Sequence, residues 1–69
     1  MEKVYEVIVY FDYENGKSNY LYPTRASAIY HGKNVSKLKG VTDVLLLEWT
    51  LDKKNGIYNP GNHETIFTK

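Results

Sequence analysis

Val4-Tyr-Glu-Val-Ile-Val-Tyr-Phe-Asp-Tyr13, followed at once by Glu14-Asn15-Gly16-Lys17, decides how this chain is read. The first ten residues are β-branched and aromatic types that suit a pleated surface better than a helix. Tyr5, Val7, Val9 and Phe11 form an unbroken apolar row, while Val4, Glu6, Ile8, Tyr10 and Asp12 are mixed. Period-two alternation therefore turns the odd row to the core. Asn15-Gly16 fits the two central positions of a type I′ turn, where φ is positive. A two-residue loop then sets Glu14 opposite Lys17, Phe11 opposite Tyr20, Tyr10 opposite Leu21 and Val9 opposite Tyr22. Opposed residues share a face, so Tyr20 and Tyr22 join the core row.

Working outward, Pro23 ends the second strand and Thr24 can cap a helix. Ala26, Ala28, Ile29, Val35 and Leu38 recur at helical spacing up to Gly40, which reads as a C-terminal stop. Ala28, Gly32 and Val35 make the inner stripe, flanked by Ile29 and Leu38. Gly32 there costs about 1 kcal/mol against Ala, so either the helix approaches the sheet closely or it breaks near His31-Gly32. Val41 to Asp52 returns to strand character with both rows apolar in the middle, which predicts an interior strand. Lys54-Asn55-Gly56-Ile57 offers a second tight turn, but a strict two-residue loop would set Leu47 against Glu64. The sequence thus predicts either a bulge at Asn59-Pro60-Gly61-Asn62 or an irregular loop from Asp52 to Asn62, with a last strand from His63 to Thr68. The whole is one α+β domain spanning residues 1–69: β-β-α-β-β, a four-stranded, mostly antiparallel sheet with one helix packed on one face, its strand order open.

Composition narrows the function. The chain has 69 residues, 42% of them hydrophobic and 25% charged, and no cysteine. That is enough for one small core, and it excludes disulfides, thiolate nucleophiles and Cys-ligated zinc. No apolar run approaches the roughly 20 residues of a membrane helix, and Met1-Glu2-Lys3 does not open a secretory signal. A cytoplasmic protein with no membrane contact is the expectation. The net charge is +1, but Thr24 to Gly40 holds Arg25, Lys33, Lys37 and Lys39 with no acid, against five basic and eight acidic residues elsewhere.

The chemical motifs are thin. Gly16-Lys17-Ser18 lacks the preceding glycine of a phosphate loop and opens a strand where that motif opens a helix. His31 has no ligand-type residue three or four positions away, and His63 and Glu64 would point to opposite faces. Ser18, Ser27 and Ser36 lack a nucleophile context. Asn34-Val35-Ser36 is a chance glycosylation tripeptide inside the predicted helix. The sequence therefore predicts no catalysis, no metal and no cofactor.

What remains is a surface. One short helix covers one side of a sheet, which leaves Ile8, Tyr10 and Leu21 facing away, joined by Val44 and Leu46 or their odd neighbours. Such a patch exceeds what a soluble monomer usually exposes. It predicts a protein-protein interaction module, homodimeric through the sheet or bound to a different protein, with Ile8, Tyr10, Leu21, Val44 and Leu46 at the interface. The loop around Lys53, Lys54, Asn55 and Tyr58 is a second candidate contact. The alternative is nucleic-acid binding through Arg25, Lys33, Lys37 and Lys39, with exposed tyrosines as stacking platforms.

Overall fold

The computed structural model describes residues 2–14 and 16–69. Five elements follow in the expected order: β1 (Lys3–Phe11), β2 (Lys17–Tyr22), α1 (Arg25–Val35), β3 (Val41–Asp52) and β4 (Ile57–Thr68). The strands form one sheet in the order β2-β1-β3-β4, with every neighbouring pair antiparallel. The doubly apolar β3 is interior, as its composition requires. The helix crosses from the β2 edge to carry the chain to the far side of β1.

The first hairpin keeps its faces and changes its register. Tyr10 pairs with Lys17, Val9 with Ser18 and Val7 with Tyr20, and the Phe11 N–H donates to the Gly16 carbonyl at 2.8 Å. Each partner is four residues from the place that a two-residue Asn15-Gly16 loop would give it. Asn15 itself lies outside the described residues. Four is an even shift, so Tyr20 and Tyr22 still share the face of Tyr5, Val7 and Val9. Gly16 serves close approach: a Cβ there would lie 2.7 Å from Phe11 Cβ and 2.9 Å from Tyr13 Cε2, beneath a Tyr13 ring that stacks on Phe11 at 5.4 Å. Lys17, freed from Glu14, sits 5.9 Å over the Tyr10 ring.

Thr24 caps α1, its hydroxyl accepting the Ser27 N–H at 3.2 Å. The helix ends at Val35, short of Gly40. Beyond it the Lys37 and Leu38 N–H groups reach back only three residues, to Asn34 and Val35. Gly40 terminates this connection rather than the helix: φ of +91° turns the chain into β3, and its carbonyl accepts the Asp12 N–H at 2.8 Å. Leu38, expected on the inner flank, is 57% exposed for that reason. The helix runs unbroken through Gly32, where a Cβ would lie 2.5 Å from Ile66 Cδ1 and 3.4 Å from Val44 Cγ1. Close approach to the sheet is what the glycine provides.

The segment from Asp52 to Asn62 is a hairpin with bulges, not an irregular loop. Asp52 pairs with Ile57, Leu51 with Tyr58 and Trp49 with Pro60; the ladder then resumes at Leu47 and His63, leaving Gly61 and Asn62 both opposite Glu48. A second bulge at Ile66 lets Ile66 and Phe67 both pack on the helix-side cluster. Lys53, Lys54 and Asn55 thus belong to a tight turn and Tyr58 to a strand, in place of one long irregular loop. The turn is built by Asp52. Its Oδ1 accepts the N–H groups of Lys54 and Asn55 at 3.1 and 3.3 Å, and its Oδ2 accepts the Asn55 side-chain amide at 2.8 Å. These bonds hold the Asp52 carboxyl below its ordinary value, the Asn55 side chain contributing most. Gly56 closes the turn at φ +67°.

The core is small. Val7, Val9, Ala28, Val41, Val44 and Leu46 are buried, with Tyr5, Phe11, Tyr22, Ile29, Val35, Ile66 and Phe67 packed around them. No polar or charged side chain is buried among the described residues.

Candidate protein-binding face

The helix-free face of the sheet is defined by the cross-strand pairs. Val4 lies opposite Trp49, Glu6 opposite Leu47 and Ile8 opposite Leu45. On the flanking strands, Leu21 stands beside Glu6, Pro60 beside Trp49 and Tyr58 beside Leu51. Ile8, Tyr10 and Leu21 therefore occupy this face as the alternation of β1 and β2 predicts. Val44 and Leu46 do not: they are 0% and 3% exposed under the helix, because β1 pairs its odd residues with the even residues of β3, Val9 with Val44 and Val7 with Leu46. The residues that replace them outside are Leu45, Leu47, Trp49 and Leu51.

The pairing with β1 fixes which row went inside. The helix lies against the sheet through Ala28 and Gly32, over Val7, Val9, Val44 and Leu46, with Phe11, Ile66 and Phe67 packed around them. The three largest fully buried side chains are all valine: Val7, Val9 and Val44. The bulkier row of β3 is left on the open side. Leu45, Leu47, Trp49 and Leu51 are half-buried, shielded only by one another and by their neighbours in the sheet, while Leu21 is 68% and Tyr58 47% exposed. No short-range signal located them: the direction of the two β3 rows follows from the pairing with β1, which sets Val9 against Val44 and Val7 against Leu46.

Glu6 sits within this apolar surface and is hydrogen-bonded there, while Lys17 and Asp43 flank Tyr10 at its rim. The Glu6 carboxylate accepts the Trp49 indole N–H at 3.0 Å and the Asn19 side-chain amide at 2.6 Å. These two bonds tie β2, β1 and β3 together and satisfy an anion that would otherwise resist contact with an apolar partner. Beside it, Val4, Leu21, Trp49 and Tyr58 line a shallow groove of about 350 Å³ that crosses all four strands.

The opposite side of the molecule is polar where the helix does not reach. A cavity of about 220 Å³ is lined by Tyr5, Arg25, Leu46, Glu48, Asn62, His63 and Glu64, but its charges compensate one another: Arg25 pairs with Glu64, and Lys3 Nζ lies 3.3 Å from Glu48. Of the basic segment, Arg25 is thus engaged in an ion pair. Lys33, Lys37 and Lys39 are exposed at and beyond the C-terminal end of α1, where the helix dipole favours cations without any ligand.

The remaining candidates separate. His31 packs between Tyr20 and Tyr22, with ring centroids 4.7 and 5.1 Å away, and its Nε2 is buried with no hydrogen-bond partner. Burial, with Tyr20 beside it, raises the Tyr22 phenol above its ordinary value. His63 belongs to β4, opposite Leu47. No group of three potential metal ligands occurs among the described residues. Ser27 is occupied at the helix cap and Ser36 donates to the Lys33 carbonyl. Lys17 and Ser18 start β2 and so cannot cradle a phosphate at a helix end. No helix among the described residues is long and apolar enough to cross a membrane. Comparison of the chain with protein-family models, with curated proteins and with solved structures returns no match.

Proposed function

We propose that this protein is a small, non-catalytic, cytoplasmic interaction module that forms a two-fold homodimer through the open face of its sheet. One observation carries the reading: Trp49, three leucines of β3, Ile8, Tyr10 and Leu21 share a face over which no element of the described residues lies, while the other face is closed by the helix over Val7, Val9, Val44 and Leu46. Burying a Leu or a Trp is worth about 1.5 to 3 kcal/mol, a large quantity for a domain whose own core holds six residues. A second copy is the occupant that fits. The molecule measures 42 × 25 × 15 Å, which gives a sheet face on the order of 1,000 Å², comparable to the roughly 800 Å² per partner of a stable interface. An identical sheet matches it in size and apolar character, and aligned sheets pack face to face readily. The balanced net charge of +1 opposes no such pairing, and Glu6 enters it already hydrogen-bonded.

Trp49 is the only tryptophan and lies in the middle of this surface, so its fluorescence reports the contact. On dilution from the millimolar to the nanomolar range its emission shifts to the red as the dimer parts, in step with the sedimentation coefficient. A Trp49 spectrum and a mass that stay constant over that range overturn the reading. Salt-sensitive binding of oligonucleotides by a protein that remains monomeric would replace it with the nucleic-acid alternative.

A further inference from the structure

We propose that the open edge of the sheet at β2 is a second interface, on which β2 of another copy pairs antiparallel to extend the sheet from four strands to eight. The two edges of this sheet are built differently. In antiparallel pairs, hydrogen-bonded and non-bonded positions alternate. The direct bond between Phe11 and Gly16 makes Val9 with Ser18 and Val7 with Tyr20 the next bonded pairs. Lys17, Asn19 and Leu21 therefore turn their N–H and C=O groups away from β1, and all three residues are exposed.

The β4 edge carries the features that prevent strand addition. Pro60 has no N–H to offer, and two bulges, at Gly61-Asn62 and at Ile66, interrupt its line. The β2 edge has none of these. It is six residues of regular strand with a single charge, Lys17, at one end.

The occupant is a second copy because β2 is its own complement. Pairing centred on Tyr20 sets Tyr20 against Tyr20 of the second copy, Ser18 against Tyr22, and Asn19 against Leu21, while Lys17 meets Pro23 and no like charges face each other. Tyr20 is 42% exposed and sits at a non-bonded position toward the open edge, where cross-strand side chains come closest. Asn19 and Leu21 form the bonded pair, each N–H donating to the other's carbonyl. The joint also covers Leu21 and makes the apolar face continuous across both molecules. Taken with the proposed face contact, on which this last step rests, the assembly is a tetramer of two stacked eight-stranded sheets.

The test is amide hydrogen exchange of the full chain as a function of concentration, with sedimentation in parallel. The expected result is that the Asn19 and Leu21 amides slow by about tenfold or more as concentration rises, and that Leu21→Lys abolishes this and halves the mass of the assembly with its circular dichroism unchanged. Asn19→Pro, which removes the outward N–H together with the side-chain bond to Glu6, gives the same loss of mass, whereas Asn19→Ala, which removes the bond to Glu6 and keeps the N–H, does not. Exchange at Asn19 and Leu21 that is fast at every concentration overturns the proposal. So does protection that appears only when a foreign extended peptide is added. The face reading is separated by Leu45→Asp: if that variant dissociates the assembly while Asn19 and Leu21 exchange fast throughout, the face contact stands and the edge contact falls. If Leu45→Asp changes nothing while the two amides are protected, the reverse holds.

Discussion

Leu46 and Leu47 are neighbours in β3 and meet different surroundings: Leu46 is 3% exposed beneath the helix, and Leu47 lies on the open face beside Glu6 and His63. The same division runs through the whole sheet. One face is closed by α1, which approaches through Ala28 and Gly32 over Val7, Val9, Val44 and Leu46, with Tyr5, Phe11, Tyr22 and Phe67 around them. The other has the Trp, three leucines of β3, Ile8 and Tyr10, and no lid. The difference teaches that a row's hydrophobicity does not decide its direction here. The register with β1 sets it, Val7 against Leu46 and Val9 against Val44, and the row of Leu45, Leu47, Trp49 and Leu51 becomes the open surface.

The comparison can be broken most severely by placing the same charge on either side. Val44→Asp puts an unpaired carboxylate among Val7, Val9 and Ala28 and should cost about 3 to 5 kcal/mol, enough to unfold most of a domain of this size. Leu45→Asp, one residue along, should cost the dilute monomer about 1 kcal/mol yet abolish self-association. Urea titrations at low concentration with sedimentation at high concentration measure both. Equal destabilisation by the two variants would show that the faces are not distinct.

The spacing argument is sharpened at Gly32. Gly32→Leu must push α1 off the sheet and should lose about 1 to 3 kcal/mol. In Gly32→Ala only the end of Ile66 has to move, and the helix gains about 1 kcal/mol in propensity, so its melting temperature should change little. A stable Gly32→Leu would show that α1 need not lie so close to Val44 and Ile66. On the open face, Glu6→Leu deletes the central carboxylate and frees the Trp49 indole N–H. Dimerisation should tighten by about tenfold or less, read as a lower midpoint in the Trp49 dilution curve; weakening would mean that the Glu6 network is itself part of the contact.

The smallest effect lies at the far turn, which belongs to neither face. The Asp52 carboxyl titrates lower in the folded chain than its ordinary value of 3.8. Its contribution to stability is therefore present above that value and is lost as pH falls through the folded one. Denaturant midpoints should drop on acidification below pH 3.8, and the drop should be smaller in Asp52→Ala. An identical acid response in both would show that the turn bonds do not stabilise the hairpin.

How far the sequence is legible follows the same physics. Tyr5, Val7, Val9 and Phe11 announce β1 and its core row because only one of the two rows is uniformly apolar. In β3 both rows are apolar over the middle, Val44 and Leu46 in one and Leu45 and Leu47 in the other, so the choice of Val44 and Leu46 as outward residues had no local signal against it and needed the register with β1 to decide. The Asn15-Gly16 register failed for another reason. Face consistency cannot detect an even shift, and the space beneath Tyr13 that Gly16 provides involves a contact that no short-range turn rule contains. The second hairpin was readable only as an inconsistency, Leu47 against Glu64, which the Gly61-Asn62 bulge resolves. The polar network of Glu6, Asn19 and Trp49 was not legible, because it joins three strands whose order the sequence left open.

A second molecule on the open face would bring its methyl groups within a few ångströms of those of the first. Mixing isotopically labelled and unlabelled protein and recording only intermolecular nuclear Overhauser effects tests it directly. Contacts are expected from the methyl groups of Ile8, Leu45 and Leu47 to the other molecule, with the methyls of Val7, Val9 and Val44 giving none. Absence of intermolecular contacts at millimolar concentration, with the Ile8 and Leu47 methyls broadened by a soluble paramagnetic agent, would contradict the face contact.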